Sequence, residues 1–544
     1  MIQFKRFKKT LLVLLVGTLF LSFSFQSKFF EIAKQIEIYT TLFKELNMYY
    51  VDEINPAEFT NKAIKNTLKD LDPYTNFYNE QEVEDAKIAR EGAYGGIGVS
   101  VYYSKKGIEI TEVYKGFSAD KAGLKAGDVI VSVEGQLLVN MEKELLATFL
   151  KGTPNSKLSI EIERQGKRIQ KEIIRDKIII NAVPFSKMVD EETGYIVLTR
   201  FNNKAAAEVK KAFKKLQKEG MKKLIFDLRS NPGGSLVEAI SIANFFLPKG
   251  KKIVTTKAKV KKWSNTYNTK NEPLDLEMPI VVLVNERSAS ASEIVSGSLQ
   301  DYDRAVIMGQ RSFGKGLVQR YRKLTYGTQL KVTISKYYTP SGRCIQELDY
   351  ANRGADGEVP KFSDNGINEF KTANGRIVYD GGGILPDLLI TTSKKTEATK
   401  KLLKSRALFN FSTNYYYNNS PIETETAADF EEVVFKEFVT YLKSDTTFVT
   451  KQEALFEAAY KASLSKNISK EYEVIQQKLF EDKIAEISKN KDILKNALKE
   501  EVLKRYSYQE GVYKYKLKND LAVLKALNLV NNQDNYNALL VIEK

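Results

Sequence analysis

Apolar residues recur along this chain with periods that change from stretch to stretch, and each change marks a boundary. Over residues 29–90 the period is helical, with Ile32, Ile36, Tyr39 and Phe43 on one face. A second helix is predicted over 56–71: Asn55-Pro56 supplies a cap and a first-turn proline, and Asp72-Pro73 ends it. This region reads as scaffold or dimer contact. Over residues 91–177 the period drops to two. Val99, Val101 and Tyr103 alternate with polar residues, Gly107 turns the chain, and Ile108, Ile110 and Val113 return. Residues 159–163 and 169–173 predict a hairpin across Gln165-Gly166. Over residues 178–393 strands and helices alternate. A strand at 195–198, an amphipathic helix at 205–218, a buried apolar run at 223–228 and a helix at 236–246 predict an α/β layer. Residues 253–277 are lysine-rich around Trp263, the only tryptophan, and read as a hairpin or flap. Residues 394–544 return to a helical period, with Ile475, Leu479, Ile484 and Ile487 on one face. They predict a helical C-terminal domain whose role is open among interaction, oligomerisation and a lid.

Two stretches of the α/β region carry candidate chemistry. In the first, the apolar run 223–228 leads into Arg229-Ser230-Asn231-Pro232-Gly233-Gly234-Ser235 and then a helix. Strand, glycine loop and helix make an anion-binding arrangement. It lacks both the dinucleotide fingerprint and the Gly-Lys-Ser/Thr of a nucleotide P-loop, so an oxyanion site or a tight turn remains. In the second, the apolar run 279–284 enters a small-residue turn holding Ser288, Ser290, Ser292 and Ser296. A helix-like segment follows, then a glycine-flanked lysine, Lys315. A hydroxyl on a strand-to-helix turn is a nucleophile candidate, because the turn exposes it and the helix N-terminus favours negative charge. Lys315, Leu317, Gln319 and Tyr321 alternate, which predicts a strand with Lys315 and Gln319 facing one side.

Composition sharpens this. The 544 residues include no histidine and one cysteine, Cys344, which excludes Ser-His-Asp and Cys-His catalysis and nearly all zinc chemistry. A serine nucleophile therefore needs another base, and lysine is the attested alternative. The formal charge of +16 fits solvated lysine faces. No Arg-rich helix or basic-aromatic module supports nucleic-acid binding. Lys5, Arg6, Lys8 and Lys9 precede an apolar run over residues 11–25, the layout of an export signal, either cleaved or kept as a membrane anchor over residues 1–28. The expected location is the periplasm or the outer face of the inner membrane.

Residues 91–177 resemble a PDZ domain: Gly95-Gly96-Ile97-Gly98 is similar to its carboxylate-binding loop, and AGLKAGDVI to a turn of protease-associated versions. Together with LDPYT (71–75), FDLRSNPGG (226–234), SASASE (288–293), QDYDRA (300–305), FGKGLVQ (313–319) and GGGILPD (381–387), this resembles the carboxyl-terminal processing proteases, or tail-specific proteases, over roughly residues 35–392. The resemblance implies a multidomain α+β chain. A PDZ β-sandwich (91–177) would precede an α/β Clp protease/crotonase-like serine protease core (178–393), with helical N-terminal (29–90) and C-terminal (394–544) regions. It implies Ser290 as nucleophile, Lys315 as base and Gln319 as the residue orienting it. It further implies oxyanion donors at Ala291 and at Gly233 or Gly234, and a structural or supporting role for Asp301. Gly95, Gly96, Ile97 and Gly98 would bind the C-termini of protein or peptide substrates. No metal or organic cofactor is expected, and a homo-oligomer or an adaptor protein are the further partners the family reading leaves open. Leu385 stands where threonine is usual in the last motif.

Physical chemistry sets one condition on this mechanism. Lysine is a poor base at neutral pH, and burial in an apolar site is what lowers its pKa. Lys315 is therefore expected among residues such as Phe313 and Leu317, away from carboxylates. The rival reading is a PDZ-bearing binding or scaffold protein with an inactive core, against which the intact Ser290, Lys315 and Gln319 argue.

Overall fold

The computed structural model describes residues 29–541 apart from 355, 366, 392, 420–427 and 463–468, so the export segment expected over residues 1–28 lies outside the described residues. The chain divides into two units, one ending at Phe77 and one beginning at Tyr78. In the first, residues 29–49 and Pro56–Lys69 are helical. Asn55 Oδ1 caps the second helix through Ala57 and Glu58 N–H, as its Asn-Pro start predicts. No helix among the described residues is long and apolar enough to cross a membrane.

The second unit begins with helix α1 (Glu80–Glu91), which the sequence pattern had grouped with the N-terminal helices. Strand β1 (Ala93–Gly96) follows, then β2 (Val99–Ser104), β3 (Gly107–Val113), β4 (Val129–Val133), helix α2 (Lys143–Phe149), β5 (Lys157–Arg164), β6 (Lys167–Ile174) and β7 (Asp176–Ile179). The sheet runs β2-β3-β4-β5-β6, and β1 pairs with β7 to close the segment at its root. The hairpin predicted across Gln165-Gly166 is β5–β6; both turn residues have positive φ (47° and 74°), as a two-residue turn demands. Ile108, Ile110, Ile130, Ile160 and Ile162 fill the core, and Leu146 of α2 packs in the same cluster.

Strands β8 (Phe185–Met188), β9 (Thr193–Val197) and β10 (Lys223–Asp227) come next, with helix α3 (Ala205–Lys218) between the last two and helix α4 (Leu236–Ala243) after them. The lysine-rich stretch is a hairpin, β11 (Lys252–Ala258) with β12 (Asn265–Asn268). Then come β13 (Ile280–Val284), helix α5 (Ala291–Asp301), β14 (Val306–Gly309), β15 (Leu317–Lys323), β16 (Gln329–Tyr338) and β17 (Leu388–Leu389). The central sheet has the order β8-β9-β10-β13-β14-β17, parallel from β9 to β17. A second, antiparallel sheet joins β12, β11, β16 and β15.

All five residues of β13 are buried, because the central sheet is covered on both faces. Leu224, Phe226, Ile280, Val282 and Ile307 point to the side of α3, α4 and α5. Ile225, Val281, Leu283, Val306 and Met308 point to the other side. That second layer is built from the far C-terminus. After helix α6 (Ala407–Asn418) and three further helices (Ala428–Tyr441, Lys451–Ala462 and Ser469–Ser488) come the long α7 (Lys491–Asn519), kinked at Tyr508, then α8 (Leu521–Asn531) and α9 (Gln533–Ala538). Val523, Ala526, Leu529 and Val530 of α8 and Tyr536 of α9 pack on the sheet. Tyr536 Oη also bonds Ile280 N (2.9 Å) and O (3.1 Å). The last helices are thus a layer of the α/β core, because a parallel sheet with only α3–α5 on one face would leave its other face wet.

Candidate functional site

Four neighbouring parallel strands deliver four loops at one edge. The loops after β9, β10, β13 and β14 carry Phe201, Gly233-Gly234, Ser290 and Lys315. The carboxyl edge of a parallel sheet is where such folds place ligands.

Ser290 caps α5 with φ 56° and ψ −110°, a backbone conformation rare outside glycine. A side chain held so costs about 1–3 kcal/mol, and the surrounding bonds must hold it there. Its N–H donates to Glu293 Oε2 (2.7 Å), and its carbonyl accepts from Tyr337 Oη (3.2 Å). The other serines face inward to the backbone. Ser288 Oγ donates to Leu228 O (2.8 Å), Ser292 Oγ to Asn231 O (2.9 Å) and Ser296 Oγ to Ser292 O (2.9 Å). The structure thereby separates Ser290 from its neighbours: three serines tie the turn together and one lines a cavity.

Glu293, one turn into α5, is fully buried and holds both halves of the site. Its Oε2 accepts from the N–H of Ser290 and of Lys315 (3.0 Å); its Oε1 accepts from Gly314 N–H and Ser312 Oγ (each 2.6 Å). Burial pushes the carboxyl's pKa above the usual range, opposed by those four donors. The flanking glycines of Lys315 are forced by the irregular segment opposite, at Gln346 and Glu347. A Cβ on Gly314 would lie 2.7 Å from Glu347 Cβ, and one on Gly316 2.8 Å from Gln346 N. Gly316 N–H donates to Gln346 Oε1 (2.8 Å), which fixes the loop's far side.

Ser290, Ala291, Lys315, Leu317, Gln319, Gly233 and Gly234 line one cavity of about 780 Å³. Lys315 precedes β15, which begins at Leu317, and lines the same cavity as Leu317 and Gln319. Gln319 Nε2 donates to Thr333 Oγ1 across the ladder (3.2 Å). Phe313, expected to shield Lys315, is exposed, while Leu317 is buried. No carboxylate is among the described residues lining the cavity; Glu293, outside it, accepts from the Lys315 backbone N–H.

Gly233 lies hard against the Ser290 turn. At φ 95°, a Cβ there would sit 2.9 Å from both Ser290 Cβ and Ala291 N. Its N–H donates to Asn231 Oδ1 (2.9 Å). Asn231, wholly buried, also donates to Leu198 O (2.8 Å), and its carbonyl accepts from Ala289 N–H (3.0 Å). Asn231 thus fastens the glycine loop to the β9 loop through its side chain and to the serine turn through its carbonyl.

The remaining predicted residues lie elsewhere. Asp301 ends α5 eleven residues from Ser290, roughly 16 Å along the helix. There it pairs with buried Arg343 (2.7 Å) and accepts from Ser341 N–H (2.8 Å). Gly95 and Gly96 close β1 against β7, Ile97 is buried, and Gly98 turns at φ 83° into β2, an edge strand of its sheet beside α2. Arg229 of the FDLR motif is turned away from the cavity. It pairs with Asp227 (2.6 Å) and, with both oxygens at 2.9 Å, with Asp520 at the start of α8. Burial would raise the pKa of Asp227, but the Arg229 charge and the Tyr195 hydroxyl (2.6 Å) outweigh it and hold it down.

Comparison with known proteins matches residues 192–351 to the Peptidase family S41 model and residues 85–163 to the PDZ domain model. Residues 398–530 match "Probable PDZ-protease, C-terminal helical domain". The "Carboxy-terminal-processing protease" of Bartonella bacilliformis is 34% identical over 321 residues, 58% of this chain and 73% of that protein. This chain belongs to the carboxy-terminal-processing protease family. A "Probable CtpA-like serine protease" of Staphylococcus aureus (strain MRSA252) is 34% identical over 307 residues. That match takes in 56% of this chain, which spans 61% of the relative's length. Among solved structures, the photosystem II D1 C-terminal processing protease is 27% identical, with 57% of this chain and 89% of that one covered at a TM-score of 0.34. Within this family member, Glu293, Asn231 and the Arg229–Asp520 pair are the residues that motif reading passed over. Glu293 stood inside SASASE, yet its partners at 312–315 meet it only through the fold.

Proposed function

We propose that this chain is a serine endopeptidase with Ser290 as nucleophile and Lys315 as base. The reading is carried by one arrangement: in a chain without histidine, a serine held at φ 56° shares a carboxylate-free cavity with a single glycine-framed lysine from the adjoining loop. Lys315 Nζ, neutral, takes the Ser290 Oγ proton as the oxygen attacks a peptide carbonyl. The N–H groups of Ala291, at the start of α5, and of Gly234 stabilise the oxyanion, each worth about 3 kcal/mol. Gly234 is favoured over Gly233 because the Gly233 N–H already bonds Asn231. The lysine ammonium then protonates the departing amine, and water releases the acyl group with Lys315 again as base. Gln319 orients the lysine, and Asp301 acts through the packing of α5. The core, with helices on both sides of its parallel sheet, fits the Clp protease/crotonase-like kind.

The open edge of β2 beside α2, reached through Gly98, suits addition of a substrate's C-terminal strand, the PDZ mode of recognition. The basic, then apolar, N-terminus supports export to the periplasm or the outer face of the inner membrane, with exported proteins as substrates. A peptide with a free apolar C-terminus should be cut by the wild type and not by Ser290→Ala or Lys315→Ala. Its kcat/KM should rise from neutral to alkaline pH as the lysine loses its proton. Equal digestion by wild type and Ser290→Ala would remove the catalytic assignment.

A further inference from the structure

The cavity that holds Ser290 is strongly one-signed. Arg90, Arg200, Lys315 and Lys331 line it, and no described lining residue is acidic. The cations stand on opposite walls. Arg200 adjoins Phe201, whose backbone bridges to Gly234 and whose N–H donates to Gly233 O (3.0 Å), so it belongs to the glycine-loop wall. Lys331 pairs with Tyr321 across β15 and β16, about 7 Å along the strand from the Gln319–Thr333 pair. Arg90 of α1 lies over the same Tyr321 ring, 5.2 Å from its centre, with Lys331 Nζ at 5.9 Å. Neither Arg90 nor Arg200 is ion-paired among the described residues, and the Nε–H of Arg200 is buried without a hydrogen-bond partner.

We propose that this cleft selects substrate segments with acidic side chains flanking the scissile bond, read by Arg200 on one wall and by Lys331 and Arg90 on the other. A concave site lined by one sign of charge concentrates the opposite sign. An extended peptide sends successive side chains to opposite sides, so cations on two walls read neighbouring residues. The assignment deepens the peptidase reading and rests on it.

The test uses the full chain and matched fluorogenic peptides that share one small-residue core and one free apolar C-terminus. The residues beside the core are Glu, Gln or Lys. The Glu peptide should be cut about tenfold faster in kcat/KM than the Gln peptide, and the Lys peptide slower still. The ratio should shrink toward one at about 0.5 M salt. In the double variant Arg200→Gln, Lys331→Gln the Glu/Gln ratio should collapse to within twofold of one, and Arg200→Lys should keep it. Lys218→Gln, at the outer end of α3, should leave the ratio as in wild type, which separates the cleft from the chain's overall positive charge. Equal cleavage of Glu and Gln peptides by the wild type overturns the proposal, as does a ratio that survives the double variant. Binding of the labelled peptides to Ser290→Ala protein separates the two readings. If wild type cuts no peptide but Glu binding stays tighter than Gln binding, the peptidase reading fails and the acidic selectivity stands; equal binding overturns the selectivity.

Discussion

Replacing Glu293 with Gln tests whether one buried carboxylate holds nucleophile and base in place. The carboxylate accepts four hydrogen bonds, two at each oxygen. An amide accepts at one end only. If its NH2 faced Ser290 and Lys315, two backbone donors would confront it. Facing Ser312 and Gly314 is less costly, since Ser312 Oγ can turn and accept while Gly314 N–H is left unpaired. The retained bonds to Ser290 and Lys315 lose their anionic acceptor, about 1 kcal/mol each, and the unpaired buried N–H costs about 1–3 kcal/mol. The gross loss is about 3–5 kcal/mol. Relief from burying an anion, the effect that raises the Glu293 pKa, offsets part of it and leaves about 2–3 kcal/mol.

The functional effect should exceed the stability effect. Glu293 does not line the cavity, so peptide binding should hold while kcat falls. A displacement of about 1 Å at either the serine or the lysine costs on the order of 100-fold. Steady-state kinetics on a fluorogenic peptide, beside a melting curve, separate the terms. We expect kcat down about 100-fold, KM within about threefold and the melting temperature lowered by a few degrees. A variant that melts early yet keeps its kcat within threefold would show that Glu293 stabilises the core without positioning the site, and the positioning role would be abandoned.

Gly233→Ala forces a Cβ to 2.7 Å from Ala289 O and 2.9 Å from Ser290 Cβ at φ 95°, so kcat should fall about 100-fold in the same assay; near-wild-type turnover would deny the close approach. Asp520→Ala removes the cap that α8 draws from Ala522 and Val523 N–H, together with the Arg229 pair, about 3 kcal/mol in all, and limited proteolysis should release the C-terminal helices faster than in wild type. The folded pKa of Asp227 lies below that of an unfolded Asp, about 3.9, so the unfolded chain binds its proton more tightly. Its contribution is therefore present above about pH 4 and lost as pH falls through the folded value. Urea denaturation at about pH 7, 4 and 3 should show that loss in wild type and a shallower one in Asp227→Asn; identical slopes would exclude it.

The elements of this site were legible where they depend on neighbours in sequence. The apolar run of β13 and the glycines after β10 each announce a strand opening into a helix, and two such units in one parallel sheet place both loops at its carboxyl edge. The base is harder to read. Lys315 lies outside β15, so no strand pairing holds it, although it lines the same cavity as Leu317 and Gln319. What fixes it is Glu293, whose acceptors reach forward 19 to 22 residues. The second layer of the sheet was less legible still. Arg229 meets Asp520 across 291 residues, and the apolar face of α8 has the same helical period whether it covers a sheet or another helix. Apolar residues on both faces of β10, β13 and β14 are the local sign that a further layer must exist. A serine turn and a helical C-terminus that look separate in sequence are thus parts of one core: the strand that aims Ser290 is buried on its far side by the last helices of the chain.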